Sequence, residues 1–406
     1  MPRRRREPGD DEVAALRTAG ERGVTVRVAL CSVGELFGGV ERQILDLCRY
    51  LQRTGLQRTG ADLAAVVLFH DGELARQLRG RGVEPCIVTA AGRYDPRLAQ
   101  RVAGVLAREG VDVVHAHGYK ATIACALARR THRFGLVVTV HGRPEATLAH
   151  PVNWLKARLN HRLERWAVRQ GVDALAYVTH DIAAGSDRSH RDVERHVIPN
   201  GIDPLDATAR ERPAELTAGA FDVGIVGRVS PVKGIGFALD ALGRPEVPQS
   251  VRLHVIGTGS MTRELQERAR RAGLDGRVVF HGFRADILDY LAHLDALLMP
   301  SFHEGLPYTL LEAMALGRPV IASRVGGLAE VLRHDETGLL VEVGDVAGIA
   351  GALARLAGDP GLVRRLGEAA RREQRARYTL DAMGKAYDDL YARHAPSPAA
   401  METRSR

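Results

Sequence analysis

Two α/β domains, each a parallel sheet covered by helices on both faces, are what this 406-residue chain predicts. Short apolar runs alternate with helical stretches, the runs fall into two series, and a turn-rich segment with Pro199, Asn200, Gly201 and Pro204 parts the series. A strand buried on both faces reads as a continuous apolar run, and its parallel neighbour must be reached by a crossover, usually a helix. Turn formers supply the break between two such units. With 45% hydrophobic residues the chain can bury two cores.

Residues 1–23 open with Arg3, Arg4, Arg5 and Arg6 and go on to Asp10, Asp11 and Glu12, so they read as a disordered tail. They lack the apolar core of an export signal. The first domain spans 24–204. It begins with a buried strand at 26–31, after which Gly34, Gly38 and Gly39 turn the chain into a helix from Val40 to about Leu51. Further apolar strands fall at 64–69, 85–88, 111–115 and 136–140. A perfect duplication, 51–55 repeated at 56–60, reads as a loop insertion. The second domain spans 205–380, with strands at 221–226, 253–256, 278–280, 296–299 and 319–322. A last helix, 381–395, could return to the first domain as a strap, and 396–406 read as a second disordered tail. In open parallel sheets ligands sit beyond the carboxyl ends of the strands, so the cleft between the domains is the expected active site.

Composition narrows the partners. Cys31, Cys48, Cys86 and Cys125 form no C-x-x-C pair, which argues against a zinc site or a disulfide framework and for a reducing compartment. No apolar run approaches the length of about eighteen residues that a membrane span needs, so a cytoplasmic protein is expected, with at most a peripheral contact on the inner face of the membrane. The net charge of +8 suits a polyanionic partner. It comes almost wholly from arginine, with Lys120, Lys156, Lys233 and Lys385 the only lysines. Nucleic acid is not expected, because no recognition module is present and aromatics make up 5%.

The densest chemistry lies between Pro300 and Pro319. A strand ends at Met299, Gly305 and Pro307 shape a turn, and a helix runs from about Tyr308 until Gly317 and Pro319 stop it. Glu304 in the turn and Glu312 in the helix could accept hydrogen bonds from the hydroxyls of one ligand, while free N–H groups at the helix start favour phosphate. A sugar nucleotide offers both kinds of group. The plain alternative makes Glu304 a solvated loop residue and Glu312 an acid that favours the helix dipole. Beyond the first strand of the second domain, Arg228 and Lys233 bracket a turn before a helix, where two cations could neutralise a departing diphosphate or simply decorate a loop. Gly38 and Gly39 could admit a phosphate to the backbone or form an ordinary tight turn. His117 and His141 end apolar strands and could hydrogen-bond a sugar or acceptor hydroxyl, or be satisfied structural histidines; His115 alternates with His117 and can point the same way. No Asp-x-Asp pair lies near a strand end, so no metal is expected.

These motifs together resemble the family-4 retaining glycosyltransferases of the GT-B fold, two Rossmann-like domains around a cleft. The resemblance runs from about residue 26 to about 359 and is strongest over 221–345. It rests on the Glu304 to Glu312 pair, on Arg228 and Lys233, on Gly39, on Asn200, Gly201 and Asp203 at the hinge, and on Gly326, Gly327 and Glu330. It implies an N-terminal acceptor domain and a C-terminal domain that binds a nucleoside-diphosphate sugar as co-substrate, with no further cofactor. Glu304 would hold the donor sugar and Glu312 the ribose, Gly305, Leu306 and Pro307 would supply main-chain contacts, and His117 would lie near the transferred sugar. Arg228 and Lys233 would bind the diphosphate. Thr179 stands where serine is usual, which keeps a hydroxyl. The implied reaction is sugar transfer to an acceptor hydroxyl with retention, in polysaccharide, glycolipid or other glycoconjugate synthesis. A nucleotide-sugar epimerase on the same fold and a non-catalytic scaffold subunit are the rival readings.

The stretch 154–169 carries Trp154, Leu155, Leu159, Leu163 and Trp166 at helical spacing, with Lys156, Arg158, Arg162, Arg165 and Arg169 among them. It reads either as a basic amphipathic helix that docks on an anionic bilayer holding a lipid-linked acceptor, or as an ordinary core helix.

Overall fold

A computed structural model of the chain describes residues 25–396, except 36, 58–59, 91–94, 96, 143–150, 187–192 and 217–218. Both terminal tails read from the sequence lie outside the described residues, apart from Pro396. The first sheet has seven parallel strands: β1 (Arg27–Ser32), β2 (Asp62–Leu68), β3 (Cys86–Ile87), β4 (Val113–His117), β5 (Gly135–Val140), β6 (Ala174–Tyr177) and β7 (Glu194–Val197). Their order is β3-β2-β1-β4-β5-β6-β7, with Val28 opposite Val113 and Cys31 opposite Ala116 where β1 meets β4. Its helices are α1 (Gly39–Gln57), α2 (Glu73–Arg79), α3 (Leu98–Arg108), α4 (Tyr119–Ala128), α5 (Pro151–Gly171) and α6 (His180–Gly185).

The second sheet has six parallel strands: β8 (Phe221–Val226), β9 (Val251–Ile256), β10 (Val278–Gly282), β11 (Ala296–Met299), β12 (Val320–Ser323) and β13 (Leu339–Val341). Their order is β10-β9-β8-β11-β12-β13. Around it lie α7 (Ile235–Leu242), α8 (Thr262–Arg271), α9 (Ile287–His293), α10 (Tyr308–Ala315), α11 (Gly326–Val331), α12 (Val346–Gly358) and α13 (Pro360–Arg377). In both sheets the winding direction reverses beside the first strand, between β1 and β4 and between β8 and β11. Crevices open at such switch points. Gly39 starts the helix after β1, His117 ends β4, and the segments after β8 and β11 carry Lys233 and Glu304, so the sequence motifs fall at the two switch points.

The last helix, α14 (Leu380–His394), packs against α1 and β5 of the first sheet. Its buried Leu380, Met383, Tyr387, Leu390 and Tyr391 join Ile44, Leu47 and Leu51 of α1 in one core cluster. A second cluster fills one side of the second sheet, and a third runs without a break from Ala29, Val138 and Ile182 to Leu306, Tyr308 and Leu328 across the cleft floor.

Four elements differ from the sequence reading. Helix α1 runs on to Gln57, so the first copy of the duplication is helix and not an inserted loop. Five residues turn a helix about 140° past one full turn. Leu51 is therefore fully buried and its copy Leu56 is 88% exposed. Strands β6, β7 and β13 carry no apolar run long enough to stand out, and the Glu-Arg-His-Val edge strand β7 is largely exposed. Among the described residues no single helix is long and apolar enough to cross a membrane. Of α5, side chains are described only at Asn160 and from Arg162 onward; Trp154, Leu155, Lys156, Arg158 and Leu159 fall outside the described side chains.

Candidate active site

The second domain builds one wall. After β8, the backbone at Gly227 (φ 134°) lies against Gly257 (φ 140°), the residue that follows β9. A Cβ on Gly257 would fall 1.9 Å from the Gly227 carbonyl oxygen, so only glycine lets the two strand-end loops touch. The chain then makes a 3₁₀ turn at Pro231–Lys233, and the Phe302 N–H donates to the Val232 carbonyl at 2.8 Å, which ties this turn to the loop after β11. The tie sets the side chains. Lys233 Nζ donates to Glu304 Oε1 at 2.6 Å, and Ser301 Oγ donates to the same oxygen at 2.7 Å. Glu304 is 9% exposed. Arg228 is exposed, and its side chain has no hydrogen bond or ion pair among the described residues.

Pro307 caps α10, with Glu312 in the helix's second turn and buried. Burial raises the Glu312 carboxyl above its usual pKa, and the Arg42 guanidinium partly opposes that. Gly305, Leu306 and Pro307 form the turn between the two glutamates. The Leu306 carbonyl accepts from Asn200 Nδ2 at 2.8 Å, and Asn200 Oδ1 accepts from Gln43 Nε2 at 2.9 Å. The hinge and α1 thereby hold this turn.

The first domain builds the facing wall. Gly38 N–H donates to Glu41 Oε2 at 3.0 Å, closing the glycine turn that starts α1, and Gly39 faces the Tyr308 ring. His117 Nδ1 and His141 Nε2 share a hydrogen bond of 3.1 Å, while His117 Nε2 is buried without a partner. Burial lowers the His141 pKa to about 4 and takes His117 well below its usual value, so both are neutral bases near pH 7. The His141 carbonyl lies against Gly305, where a Cβ would come within 2.4 Å of its oxygen. His115 is different: Nδ1 bonds Tyr391 OH at 2.8 Å and Nε2 bonds Thr139 Oγ1 at 2.6 Å, which commits it to holding α14.

Contacts between neighbours thus bring Glu304, Gly305, Leu306, Pro307, Glu312, Lys233, Gly39, His117 and His141 together where the two domains face each other, and Arg228 stands exposed five residues before Lys233. Two family models tile the chain: residues 37–205 match Glycosyltransferase Family 4, and residues 220–359 match Glycosyl transferases group 1. The D-inositol 3-phosphate glycosyltransferase of Xylanimonas cellulosilytica is 31% identical over 87% of this chain and 91% of its own. The chain belongs to the family-4 glycosyltransferases. The N-acetyl-alpha-D-glucosaminyl L-malate synthase of Bacillus anthracis is 28% identical over 73% of this chain and 79% of its own. Among solved structures, HepE of Anabaena in complex with UDP has a TM-score of 0.74 at 23% identity, covering 90% of this chain and 99% of that one. Sucrose-phosphate synthase of Thermosynechococcus elongatus has a TM-score of 0.72 at 21% identity, covering 91% and 98%. The two-sheet architecture is therefore the GT-B fold.

Some residues of this glycosyltransferase's cleft escape a reading of motifs. Ser301 looks like any strand-end serine, and nothing local marks Gln43 as the partner of Asn200, 157 positions away. Glu330 lies in a glycine-rich stretch quoted for the family, but its contact crosses the cleft. Its carboxylate accepts from the His180 N–H at 2.9 Å and the Asp181 N–H at 2.5 Å, at the start of α6. Gly327 makes that approach possible, since a Cβ there would lie 2.8 Å from the methyl of Thr179, which caps α6, and 2.0 Å from the Gly305 carbonyl oxygen.

Proposed function

We propose that this glycosyltransferase moves a sugar from a nucleoside diphosphate to an acceptor hydroxyl, with retention at the anomeric carbon and without a metal ion. The observation that carries the reading is the Lys233 to Glu304 pair, 2.6 Å apart in the wall of the cleft, with the unpaired Arg228 beside it. Glu304 would hold the donor sugar and Glu312 the ribose, with Gly305, Leu306 and Pro307 offering main-chain groups and Gly39 admitting the phosphates. Arg228 and Lys233 would face the diphosphate. His117, with its unpartnered Nε2, would contact the transferred sugar, and His141 would orient His117 or meet the acceptor.

In this account the bond from the anomeric carbon to the phosphate oxygen breaks, and the acceptor oxygen attacks on the face the phosphate leaves. The acceptor's proton passes to a leaving phosphate oxygen, so no dedicated general base is required. The protein's contribution is orientation and stabilisation of the departing negative charge. Two fixed cations can supply that charge stabilisation, which is what supports metal independence. Measuring turnover of Glu304→Gln and Lys233→Ala tests the site: each should fall by about 10²–10³ while the circular dichroism stays unchanged. Near-normal turnover in both removes these residues from the chemistry.

A lipid-linked acceptor, and with it glycolipid or polysaccharide synthesis at the inner face of a membrane, is the acceptor reading we propose. Its support is α5, where Arg162 and Arg169 are exposed and Trp166 is 38% exposed beneath the Arg130 guanidinium, 5.5 Å from the ring centroid. Basic residues near an anionic bilayer each add about 1 kcal/mol of attraction, which salt screens. Co-sedimentation with anionic vesicles should therefore weaken with salt and with the pair Arg162→Glu and Arg169→Glu. Equal sedimentation with neutral vesicles, or no effect of the pair, leaves a soluble acceptor as the reading.

A further inference from the structure

The fold treats the two cleft glutamates differently. Glu304 receives hydrogen bonds from Lys233 and Ser301, both from its own domain. The Glu312 side chain receives none among the described residues, although only 6% of the residue is exposed. Its ionic neighbour comes from the opposite domain: Arg42 Nη1, in the first turns of α1, lies 3.8 Å from Glu312 Oε1. Arg42 is itself held in place. Its Nε donates to Asp46 Oδ2 at 3.2 Å, and its guanidinium lies 5.8 Å from the centroid of the Tyr308 ring. Arg49 Nη2 bonds the other oxygen of Asp46 at 3.2 Å, and Arg49 Nη1 reaches Asp203 Oδ2 of the hinge at 2.8 Å.

A separation of 3.8 Å gives Coulomb attraction without a hydrogen bond. Both oxygens of Glu312 keep their lone pairs. We propose that Arg42 is a positioning residue for the donor: a counter-ion lent by the first domain that keeps Glu312 ionised, and so able to accept both ribose hydroxyls, without occupying its acceptor sites. The proposal rests on the reading of Glu312 as the ribose acceptor.

The chemistry of the site requires such a partner. A diol donating two hydrogen bonds needs a carboxylate, because a protonated carboxyl turns one acceptor oxygen into a donor. Burial drives Glu312 toward that neutral form and the negative charge of Asp46 adds to the drive, whereas Arg42 opposes it. Tyr308 also faces the site, but its phenol is buried and neutral. Donor affinity should therefore depend on the ionisation of Glu312, and that ionisation on a residue of the other domain. A first domain that swings away takes the counter-ion with it.

The test is calorimetric titration of the full chain with UDP, ADP and GDP in turn, from about pH 6 to about pH 8.5, continuing with whichever binds wild type most tightly. Loss of Arg42 raises the pH at which Glu312 ionises, so Arg42→Met should weaken binding most at the acid end, by about tenfold, and the gap should close as pH rises. The pH of half-maximal affinity should move up. Arg42→Lys should restore the wild-type profile. Glu312→Gln should bind weakly, keeping only the pH dependence of the nucleotide's own terminal phosphate, and adding Arg42→Met to it should change nothing further. A loss that is equal at every pH, or no loss, or no rescue by lysine, overturns the role of Arg42. If wild type binds none of the three nucleotides, the donor-site reading itself fails, an outcome distinct from a wild type that binds and an Arg42→Met that binds alike.

Discussion

At the scale of single residues, the cleft pairs each buried charge with a group that leaves it usable. Glu304 spends one oxygen on Lys233 and Ser301, and Lys233 keeps further N–H donors for a phosphate. Two cations placed beforehand cost no reorganisation when charge develops on a leaving group. If Arg228 and Lys233 do this work, activity should survive exhaustive chelation with EDTA. Activity that vanishes with EDTA and returns with Mg²⁺ or Mn²⁺ would assign leaving-group stabilisation to a metal instead. The placement of these residues was legible in the sequence because it is local: Glu304, Gly305, Leu306, Pro307 and Glu312 occupy one strand–turn–helix, and Arg228 and Lys233 another. Long-range polar contacts were not legible. Gln43 to Asn200 joins α1 to the hinge 157 positions on, and Glu330 to the α6 backbone joins the two domains; tertiary packing alone brings either pair together.

At the scale of elements, α14 shows how a terminal helix is held to the first domain by polar as well as apolar contacts. Thr139 Oγ1 bonds Tyr387 OH at 2.8 Å, and His115 bridges Thr139 and Tyr391 in a fully buried site. Burial lowers the His115 pKa to about 3, so the folded protein holds it neutral where an unfolded chain would protonate it below about 6.5. The folded-state pKa is depressed; its contribution is therefore intact above about pH 6.5 and is lost progressively as pH falls toward 3, at about 1.4 kcal/mol per pH unit. Asp388 on the same helix acts in the opposite sense, its carboxyl pushed up to about 6 by burial, so the comparison must isolate His115. Urea unfolding should find His115→Gln less stable than wild type at pH 7.5, with the difference shrinking as pH falls. A difference that does not change with pH would mean His115 contributes packing alone. The long strands could be read from their apolar runs, and the return of the last helix to the first domain from the two-domain arrangement. Strands β6, β7 and β13 could not: β6 and β7 are four residues with Ala, Glu, Arg or His among them, β13 is only three residues long, and such short segments owe their strand state to neighbours already in the sheet.

At the scale of the whole molecule, one continuous apolar cluster runs between the domains, charged contacts join them from Arg42 to Glu312 and from Glu330 to α6, and Arg49 ties α1 to Asp203 at the hinge. Both switch points open into the cleft, so a ligand that spans it touches residues of both domains. The central claim is that a nucleoside-diphosphate sugar binds there. Thermal unfolding of wild type, Lys233→Ala and Glu312→Gln against a panel of nucleotide sugars tests it most directly. A ligand that binds only the folded state stabilises it by mass action, by about 2.7 kcal/mol at a hundred times its Kd, which raises Tm by a few degrees. At least one nucleotide sugar should raise the Tm of wild type and leave both variants nearly unmoved. No shift with any member of the panel, or equal shifts in wild type and both variants, would contradict the assignment of this cleft.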